Sequence, residues 1–389
     1  MIPVARPWMD EREADAARRV ILSGWVTQGP EVASFERGFA EAVGAAHACA
    51  VSSCTTALHL ALSALGVGPG DEVVTVSHSF IATANAIRYC GAVPVFVDID
   101  ASTFNMDPTL VDAAISTRTK ALLVVHQLGM PCDLSRLMAI ARRRGVPVVE
   151  DAACAVGSEI RWDDVWERIG RPHGDVACFS FHPRKLLSTG DGGMLTTSRS
   201  DLDARFRLLR QHGMSVPDTV RHTSTQVVFE DYPVVGFNYR MTDIQAAIGR
   251  EQLKRLSLMV ARRRALAARY AEHLGGVAGV TIPHEPTWAR SNWQSYAVTL
   301  DAGLGAGLRA DSVQRAIMQR MLDAGVSTRR GAMNVHREGA YPPGSWRAAG
   351  SLVRSEHAQA TTVVLPLYHQ MTDEDQNRVV EALRSAIDA

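Results

Sequence analysis

Short apolar runs alternate with longer amphipathic segments along the first half of the chain. The runs at 47–51, 73–76, 93–97, 121–125 and 146–149 are rich in valine, alanine and leucine and have the length of buried strands. Between them, apolar residues recur at the spacing of one helix face. This alternation predicts a doubly wound, mostly parallel α/β sheet whose ligand crevice lies along the carboxyl ends of the strands.

A long helical pattern over 244–274 follows, and we expect this helix to connect two domains. Beyond it the predicted elements are shorter, namely a strand at 295–300, a helix at 311–324, a strand at 362–365 and a helix at 372–387. They form a smaller α+β domain of ordinary size. We therefore divide the chain into a large domain with an N-terminal arm, residues 1–250, and a small C-terminal domain, residues 251–389.

The residues that follow the strand at 47–51 have the composition of an anion site. Ser53, Cys54 and Thr55 open an amphipathic helix. The free N–H groups and the dipole at a helix start favour a phosphate. Serine and threonine are also typical of an ordinary N-cap, so this segment alone leaves both interpretations open.

The stretch 174–194 carries further candidate chemistry. An apolar strand ends there in a polar turn that contains Ser180, His182 and Lys185. Lysine is rare in this chain, whose basic residues are mostly arginine, and only a lysine amine can be deprotonated to attack a carbonyl. Lys185 is therefore a candidate nucleophile, with a solvated surface amine as the alternative.

Asp151 follows the strand at 146–149, where a buried carboxylate needs a cation or hydrogen-bond donors. By itself it is either such a functional group or the cap of the next helix. Together, the helix start, Asp151 and Lys185 match the needs of pyridoxal 5′-phosphate (PLP). This cofactor requires donors for its phosphate, a carboxylate for its pyridine nitrogen and an amine for its aldehyde.

A family resemblance rests on motifs spread over nearly the whole chain. In order, they are Gly-Trp at 24–25, Ser-Cys-Thr-Thr-Ala-Leu-His-Leu-Ala-Leu at 53–62, Ser-Phe-Ile-Ala-Thr-Ala-Asn at 79–85, Glu-Asp-Ala-Ala-Cys-Ala at 150–155, Ser-Phe-His-Pro-Arg-Lys at 180–185, Gly-Phe-Asn-Tyr-Arg-Met-Thr-Asp at 236–243 and Leu-Pro-Leu-Tyr at 365–368. With these motifs the chain resembles the DegT-type sugar aminotransferases, PLP-dependent enzymes of the aspartate aminotransferase fold (fold type I). The resemblance implies a mostly parallel seven-stranded sheet between helices in the large domain.

The resemblance also implies roles for individual residues. Lys185 and Asp151 are the catalytic pair, with Lys185 bound to the cofactor and Asp151 on its pyridine nitrogen. The implied cofactor-binding residues are Ser53, Cys54, Thr55, Phe80, Asp151, Cys154, Ser180, His182, Lys185 and Asn238. Phe80 would stack on the ring, and Asn238 would reach the phosphate of a neighbouring subunit, which implies a homodimer with shared active sites. The implied substrate residues are Trp25, Tyr239, Arg240 and His336.

Two positions depart from the family pattern. Cys54 stands where many relatives have glycine, which leaves the N–H groups of the helix start intact. Cys154 stands where many relatives have glutamine, and this removes a polar side chain that could contact the cofactor near its ring hydroxyl. The segment 161–172, with Trp162 and Trp166, has no counterpart in the resemblance and either shapes the substrate entrance or covers a surface.

The expected reaction is transfer of an amino group from an amino acid, L-glutamate by resemblance, to a keto sugar in amino-sugar biosynthesis. The expected acceptor is a nucleotide-linked 4-keto or 3-keto deoxyhexose, with a keto-cyclitol or another non-nucleotide keto sugar as the alternative. A pyridoxamine phosphate (PMP)-dependent sugar dehydratase is disfavoured, because such relatives have histidine in place of Lys185. A regulator without catalysis is disfavoured by the presence of both Lys185 and Asp151.

Composition narrows the expected partners. The formal net charge is +0 at pH 7, so we expect neither a nucleic-acid surface nor a site for anionic membranes. The six cysteines lack CxxC spacing and fall in or beside apolar runs, which predicts reduced thiols and neither a disulfide framework nor a metal site. No apolar stretch reaches the roughly 18 residues of a membrane span, and the first residues lack a signal-peptide pattern. We therefore expect a cytoplasmic protein with small-molecule partners.

Overall fold

The computed structural model describes residues 1–216, 221, 224–301 and 309–388. Within these residues the helices are α1 (Glu11–Ser23), α2 (Pro30–Val43), α3 (Cys54–Ala64), α4 (Ile81–Tyr89), α5 (Pro108–Ala114), α6 (Leu134–Arg144), α7 (Ser200–Leu209), α8 (Asp243–Lys254), α9 (Leu256–Leu274), α10 (Ala310–Asp323), α11 (Val353–Thr361) and α12 (Asp373–Asp388). The strands are β1 (His47–Val51), β2 (Glu72–Val76), β3 (His78–Ser79), β4 (Val93–Val97), β5 (Thr119–Val125), β6 (Val148–Asp151), β7 (Glu159–Trp162), β8 (Val165–Arg168), β9 (Val176–Ser180), β10 (Gly193–Thr197), β11 (Val280–Thr281), β12 (Ala289–Arg290), β13 (Tyr296–Leu300), β14 (Arg329–Arg330), β15 (Met333–Asn334), β16 (Arg347–Ala348) and β17 (Thr362–Leu365). No helix in the described ranges combines the length and the hydropathy needed to cross a membrane.

The central sheet confirms the predicted α/β class. Its strands lie in the order β1-β10-β9-β6-β5-β2-β4-β16. β10 runs antiparallel to both of its neighbours, and every other pair in this sheet is parallel. Seven of the strands come from the large domain, as predicted. The eighth, β16, is a two-residue strand from the C-terminal part of the chain, which pairs with β4 at the edge.

Alternation along the parallel strands builds an apolar layer on each face of the sheet. Val74 and Leu122 belong to one buried cluster, whereas Val73 and Leu123 belong to the other. Strands that are buried on both faces read as continuous apolar runs, which is why the sequence pattern located them. Their polar carboxyl ends consequently lie along one edge of the sheet.

The small domain is organised around a second, antiparallel sheet in the order β11-β13-β17-β14. Helices α9, α10 and α12 pack on it around Tyr270 and Tyr296, both of which are fully buried. Ile2, at the other end of the chain, lies in the same cluster. The division of the chain at residue 250 stays a prediction, because Ile2 and β16 both connect the two predicted domains.

The prediction of one continuous helix over 244–274 is wrong. Arg255 interrupts it with φ −104° and ψ 2°, so that α8 and α9 are separate helices. The Arg255 guanidinium is buried, forms ion pairs with Asp10 and Glu13, and stacks over Trp8 at 4.4 Å from the ring centre. These contacts bind the N-terminal arm to the connecting helices, and no local periodicity could have indicated them.

The segment 161–172 contains a β-hairpin. Strands β7 and β8 pair antiparallel, and the turn residues Asp163 and Asp164 have φ values of 46° and 64°, as a tight hairpin turn requires. β12 adds a third strand, and Arg290 lies over the Trp166 ring at 3.9 Å. This hairpin does not line the cavity described below. Of the two predicted roles for the segment, the structure therefore favours the surface role.

Candidate active site

A cavity of about 640 Å³ lies at the carboxyl ends of β5, β6 and β9, between the large domain and the sheet of the small domain. Nine of the residues implied by the family resemblance line it, namely Ser53, Cys54, Thr55, Phe80, Asp151, Cys154, Ser180, His182 and Lys185. They come from distant parts of the chain and meet because parallel strands end at one edge of the sheet. The cavity is therefore the candidate active site.

Lys185 lies in the turn after β9, with its Nζ atom 3.0 Å from Cys154 Sγ. Burial opposes its charge, but the neighbouring Cys154, Cys54 and Asp151 side chains stabilise the ammonium, and the pKa of Lys185 is raised above its ordinary value. Cys154 thus takes part in holding the amine, although it replaces the glutamine of many relatives. The alternative reading of Lys185 as a freely solvated surface amine does not fit this position.

Gln294, from the segment that enters the small domain, holds the backbone on both sides of Lys185. Its Oε1 accepts a hydrogen bond from Leu186 N at 2.8 Å, and its Nε2 donates to the Arg184 carbonyl at 2.6 Å. Only 8% of Gln294 is exposed. Because both the oxygen and the nitrogen of this buried amide are hydrogen-bonded, Gln294 fixes the backbone of the turn and hence the position from which the Lys185 side chain extends.

Gln294 is in turn held by buried neighbours. Asn292 Oδ1 accepts from Gln294 N at 2.8 Å, while Asn292 Nδ2 donates to the Cys154 carbonyl at 2.9 Å. Arg263 donates to the Gln294 carbonyl at 3.1 Å. Burial lowers the pKa of Arg263 to about 10. One network therefore fixes the Lys185 turn and the Cys154 loop relative to the small domain.

Asp151 ends β6 with its carboxylate facing the cavity. Thr83 Oγ1 donates to Oδ2 at 2.8 Å, and Ala153 N donates to Oδ1 at 3.2 Å. Burial raises the pKa of Asp151 above its ordinary value despite these two donors. Strand alternation directs the preceding Glu150 to another environment, where it lies 3.1 Å from His126 Nε2. Asp151 is thus a buried carboxylate that a cation in the cavity would stabilise.

The start of α3, where the sequence predicts an anion site, lines the cavity. Ser53 is the N-cap, and its Oγ accepts a hydrogen bond from Thr56 N at 3.1 Å. Thr56 Oγ1 in turn accepts a hydrogen bond from Ser53 N at 3.1 Å, so both hydroxyls serve the cap. Gly193 of β10 lies against this turn so closely that a Cβ atom there would meet Ser53 C at 2.4 Å. The segment therefore forms an ordinary N-cap and also lines the cavity, so the two predicted roles do not exclude each other.

The donor set fits PLP. Helix-start N–H groups with the Thr55 and Ser180 hydroxyls suit a phosphate, and Asp151 is a carboxylate whose pKa is raised by burial and which a protonated pyridine nitrogen would stabilise further. Lys185 supplies the amine. Phe80, the residue before α4, is 65% exposed at this cavity and offers an aromatic face.

His182 lines the cavity beside Lys185. Its Nδ1 accepts a hydrogen bond from Arg184 N at 3.2 Å, which leaves Nε2 to carry the proton of the neutral ring. Burial, together with the charge of Arg184, lowers the pKa of His182. The side chain is therefore neutral at physiological pH and can serve as a hydrogen-bond donor at the site.

Five of the predicted residues do not line the cavity of their own chain, namely Trp25, Asn238, Tyr239, Arg240 and His336. Tyr239 directs its hydroxyl to His59 Nδ1 at 2.9 Å, and the Arg240 backbone pairs with Val51. Asn238 is exposed. Trp25 is half-buried, and its indole N–H donates to the Gln28 carbonyl at 3.3 Å.

His336 makes two polar contacts within its own chain. Its Nδ1 lies 2.6 Å from Ser77 Oγ and its Nε2 lies 3.1 Å from Glu356 Oε1. Ser77 is fully buried and also accepts from the backbone of His336, so the serine has no path to a substrate. These contacts hold the His336 imidazole in place within its own chain.

Sequence reasoning missed several residues that contribute to the site. Thr83 is the hydroxyl donor to Asp151, and Gln294 holds the Lys185 turn. Arg329 and Arg330 line the cavity from β14. Thr83 lies in the motif Ser-Phe-Ile-Ala-Thr-Ala-Asn at 79–85, so the sequence offered a signal for it. The contacts of Gln294 and of the two arginines depend on how the small domain packs.

Comparisons with known proteins agree with this geometry. The DegT/DnrJ/EryC1/StrS aminotransferase family matches residues 7–384. GDP-perosamine synthase of Caulobacter vibrioides is 40% identical over 385 residues, which are 98% of this chain and 97% of that protein. Among solved structures, the aminotransferase TlmJ from Streptoalloteichus hindustanus has a TM-score of 0.89 and 38% identity, covering 100% of this chain and 99% of that chain.

A further solved structure bears on the chemistry. DesV of S. venezuelae, determined in complex with a ketimine intermediate, has a TM-score of 0.86 and 33% identity, covering 100% of this chain and 99% of that chain. The family match, these relatives and a cavity that presents a lysine beside a buried carboxylate agree on the cofactor and on the reaction class. The protein is a PLP-dependent sugar aminotransferase, and the chain belongs to the DegT/DnrJ/EryC1/StrS aminotransferase family.

Proposed function

We propose that this enzyme transfers the amino group of L-glutamate to a keto deoxyhexose carried on a nucleotide, and that it does so in the cytoplasm as a homodimer with shared active sites. The observation that carries the reaction is the meeting of Lys185, Asp151 and the start of α3 in one cavity. The name of the GDP-perosamine synthase relative supports a nucleotide-linked acceptor. Six free cysteines suit a reducing compartment.

Lys185 is the proposed general acid and base. Bound PLP supplies an aldehyde that condenses with amines and a ring that takes up the electron pair of a deprotonated carbon. The Nζ atom of Lys185 removes the proton from the substrate carbon that bears nitrogen and returns a proton on the acceptor side. Gln294 and Cys154 hold this amine in place by the contacts described above.

Asp151 is proposed to remain ionised beside the ring nitrogen. Thr83 and Ala153 each occupy one carboxylate oxygen, which fixes the orientation of the group. The N–H groups at the start of α3 and the Ser180 hydroxyl would bind the phosphate, and Phe80 would cover the ring. Each of these groups is pre-oriented by the fold, so little reorganisation is needed when the substrate reacts.

The proposed dimer is supported by exposed apolar side chains near Asn238. Phe229 and Val235, which precede Asn238 by a few residues in the chain, are 88% and 89% exposed, and such exposure is unusual for large apolar side chains that face only water. A second copy of the chain covering this stretch would bring Asn238 toward the cofactor phosphate of its partner. The proposed substrate residues Trp25, Tyr239, Arg240 and His336 would then complete the pocket from positions outside the cavity of their own chain.

The reaction is tested with purified enzyme carrying its cofactor. We expect L-glutamate to bleach the visible absorption band and to release 2-oxoglutarate, and a nucleotide-linked keto sugar to restore the band and yield an amino sugar. A panel should pair nucleotide-linked keto sugars with free keto sugars and a keto-cyclitol. If the enzyme aminates only the free keto sugars or the keto-cyclitol, the proposed nucleotide-linked acceptor is wrong. Release of a deoxy sugar without a new amine would contradict transamination.

Shared sites are tested by mixing two inactive variants, Lys185→Ala and Asn238→Ala, after dissociating and reassociating the subunits. If Asn238 serves the partner's site, each mixed dimer contains one site with both residues intact, and activity returns to about a quarter of the wild-type value. If each chain uses its own Asn238, mixing restores nothing. Sedimentation gives the oligomeric state in the same samples.

A further inference from the structure

Arg329 faces the candidate active site from the small domain. In the antiparallel pair β14–β17, Arg329 lies opposite Val364 and Arg330 lies opposite Val363. Directly opposed residues project on the same face of a sheet. Val363 belongs to the buried core of the small domain, whereas Val364 lines the cavity. The side chain of Arg329 therefore shares the face that is turned toward the cavity.

The guanidinium of Arg329 has no hydrogen-bond or ion-pair partner among the described residues. Its neighbour Arg330 differs, since it lies 3.8 Å from Glu338 Oε1. Arg184, which precedes Lys185 on the large-domain wall, is also exposed and lines the cavity. Arginines thus line the cavity from both walls, Arg184 from the large domain and Arg329 with Arg330 from the small domain.

The carboxylates of the cavity do not neutralise these arginines. Asp151 is buried and held by Thr83 and Ala153 at the ring-nitrogen position, and Asp191 lies in the Gly-rich turn before β10. The wall around Arg329 includes the apolar side chains of Val364, Leu365 and Leu367. A cation beside apolar walls attracts an anion more strongly than a cation in open water does.

We propose that Arg329, together with Arg184, binds an anionic oxygen group of the substrates, either a carboxylate of the amino donor or a phosphate of the nucleotide-linked acceptor. The inference rests on the proposed function, because it concerns the same cavity. Both groups match the planar fork of a guanidinium, which forms two parallel hydrogen bonds to them. Arg329 then determines substrate affinity, while Lys185 and Asp151 perform the chemistry.

The first experiment measures binding without turnover. Glutarate, a dicarboxylate without an amino group, and UDP, a nucleoside diphosphate without a sugar, are titrated into the cofactor-loaded enzyme by calorimetry. Arg329→Gln should weaken one of them by about tenfold or more, since a charge-assisted contact is lost. A glutarate effect assigns the donor carboxylate, and a UDP effect assigns the acceptor phosphate.

The matched control is Arg337→Gln, because Arg337 is an exposed arginine nearby that does not line the cavity. It should change neither affinity by more than about twofold. Arg329→Lys keeps the charge but loses the fork, so it should recover only part of the affinity. Equal effects of the two glutamine variants, no effect of Arg329→Gln, or no binding of either probe to wild-type enzyme would overturn the proposal.

A second measurement separates this inference from the proposed function. In Arg329→Gln at saturating L-glutamate, the visible band should still bleach, because Lys185 and Asp151 are unchanged. The concentration of glutamate needed for half-maximal bleaching should rise about tenfold if Arg329 binds the donor. If glutamate fails to bleach the wild-type band, the proposed function is wrong. If wild type bleaches and Arg329→Gln has unchanged constants for both substrates, only the Arg329 inference is wrong.

Discussion

The floor and the rim of the active-site cavity are built differently. On the floor, Asp151 and the turn around Lys185 are held by Thr83, Ala153 and Gln294 through hydrogen bonds of 2.6–3.2 Å. On the rim, Arg184 and Arg329 are exposed. Reacting groups require fixed geometry, whereas groups that select a substrate need only to be reachable. The contrast indicates that the floor determines the reaction and the rim determines the substrate.

The largest expected effect comes from the floor. Lys185→Ala removes the proposed acid and base, and turnover should fall by about 10⁴-fold or more. The visible band of the cofactor should shift as well, since the covalent link is lost. Lys120→Ala, which alters an exposed lysine at the start of β5, should leave both the band and turnover unchanged. Substantial turnover by Lys185→Ala would contradict the conclusion that the floor of the cavity determines the reaction.

Asp151→Asn should reduce turnover by about 10²-fold or more, because a preorganised charge at the ring nitrogen is lost. In cofactor-free protein the same substitution should raise stability near neutral pH, whereas it lowers turnover in the loaded enzyme. The folded-state pKa of Asp151 lies above the ordinary value of 3.8, so its contribution to stability is present below that pH and is lost as pH rises through the raised pKa. The asparagine variant lacks this loss.

Melting temperatures measured without cofactor between pH 4 and pH 8 test this sign. The fall in melting temperature with rising pH should be smaller for Asp151→Asn than for wild type. With cofactor bound, the order should reverse, since the wild-type carboxylate then has its cation. A wild-type protein that loses less stability than the variant over this pH range, without cofactor, would contradict the assignment of a carboxylate whose pKa is raised by burial.

Gln294→Leu should lower turnover by about 10- to 100-fold, because the turn that carries Lys185 loses both hydrogen bonds that the Gln294 side chain makes to its backbone. The pH dependence of the visible band should shift with it. Gln314→Leu is the matched control: Gln314 is a buried glutamine that donates to the carbonyls of Gln359 and Thr362 in the small domain. It should destabilise the protein with an unchanged band. If the visible band has the same pH dependence in both variants, Gln294 has only a structural role.

The smallest effect is expected at the hairpin outside the cavity. Trp166→Ala removes the stacking of Arg290 on the indole ring and should cost about 0.5–1 kcal/mol in the free energy of unfolding. Turnover and both Michaelis constants should remain within about twofold of wild type. A change in the Michaelis constant of the acceptor would instead place this hairpin at the substrate entrance.

Much of the fold and part of the site could be predicted from the sequence. The strands of the central sheet are buried on both faces and read as apolar runs, so their places and the polar residues at their ends were evident. The break at Arg255 was missed, because its guanidinium pairs with Asp10 and Glu13 far back in the chain. The contacts of Gln294 were missed for the same reason.

The sequence by itself determined the α/β class and made Lys185, Asp151 and the start of α3 candidates for the site, because each depends on a local pattern that periodicity or residue chemistry reveals. Only the tertiary structure decided that Gln294 holds the Lys185 turn and that Arg329 faces the cavity. These relations join residues from different domains, and the packing of one domain on the other has no signature in local sequence.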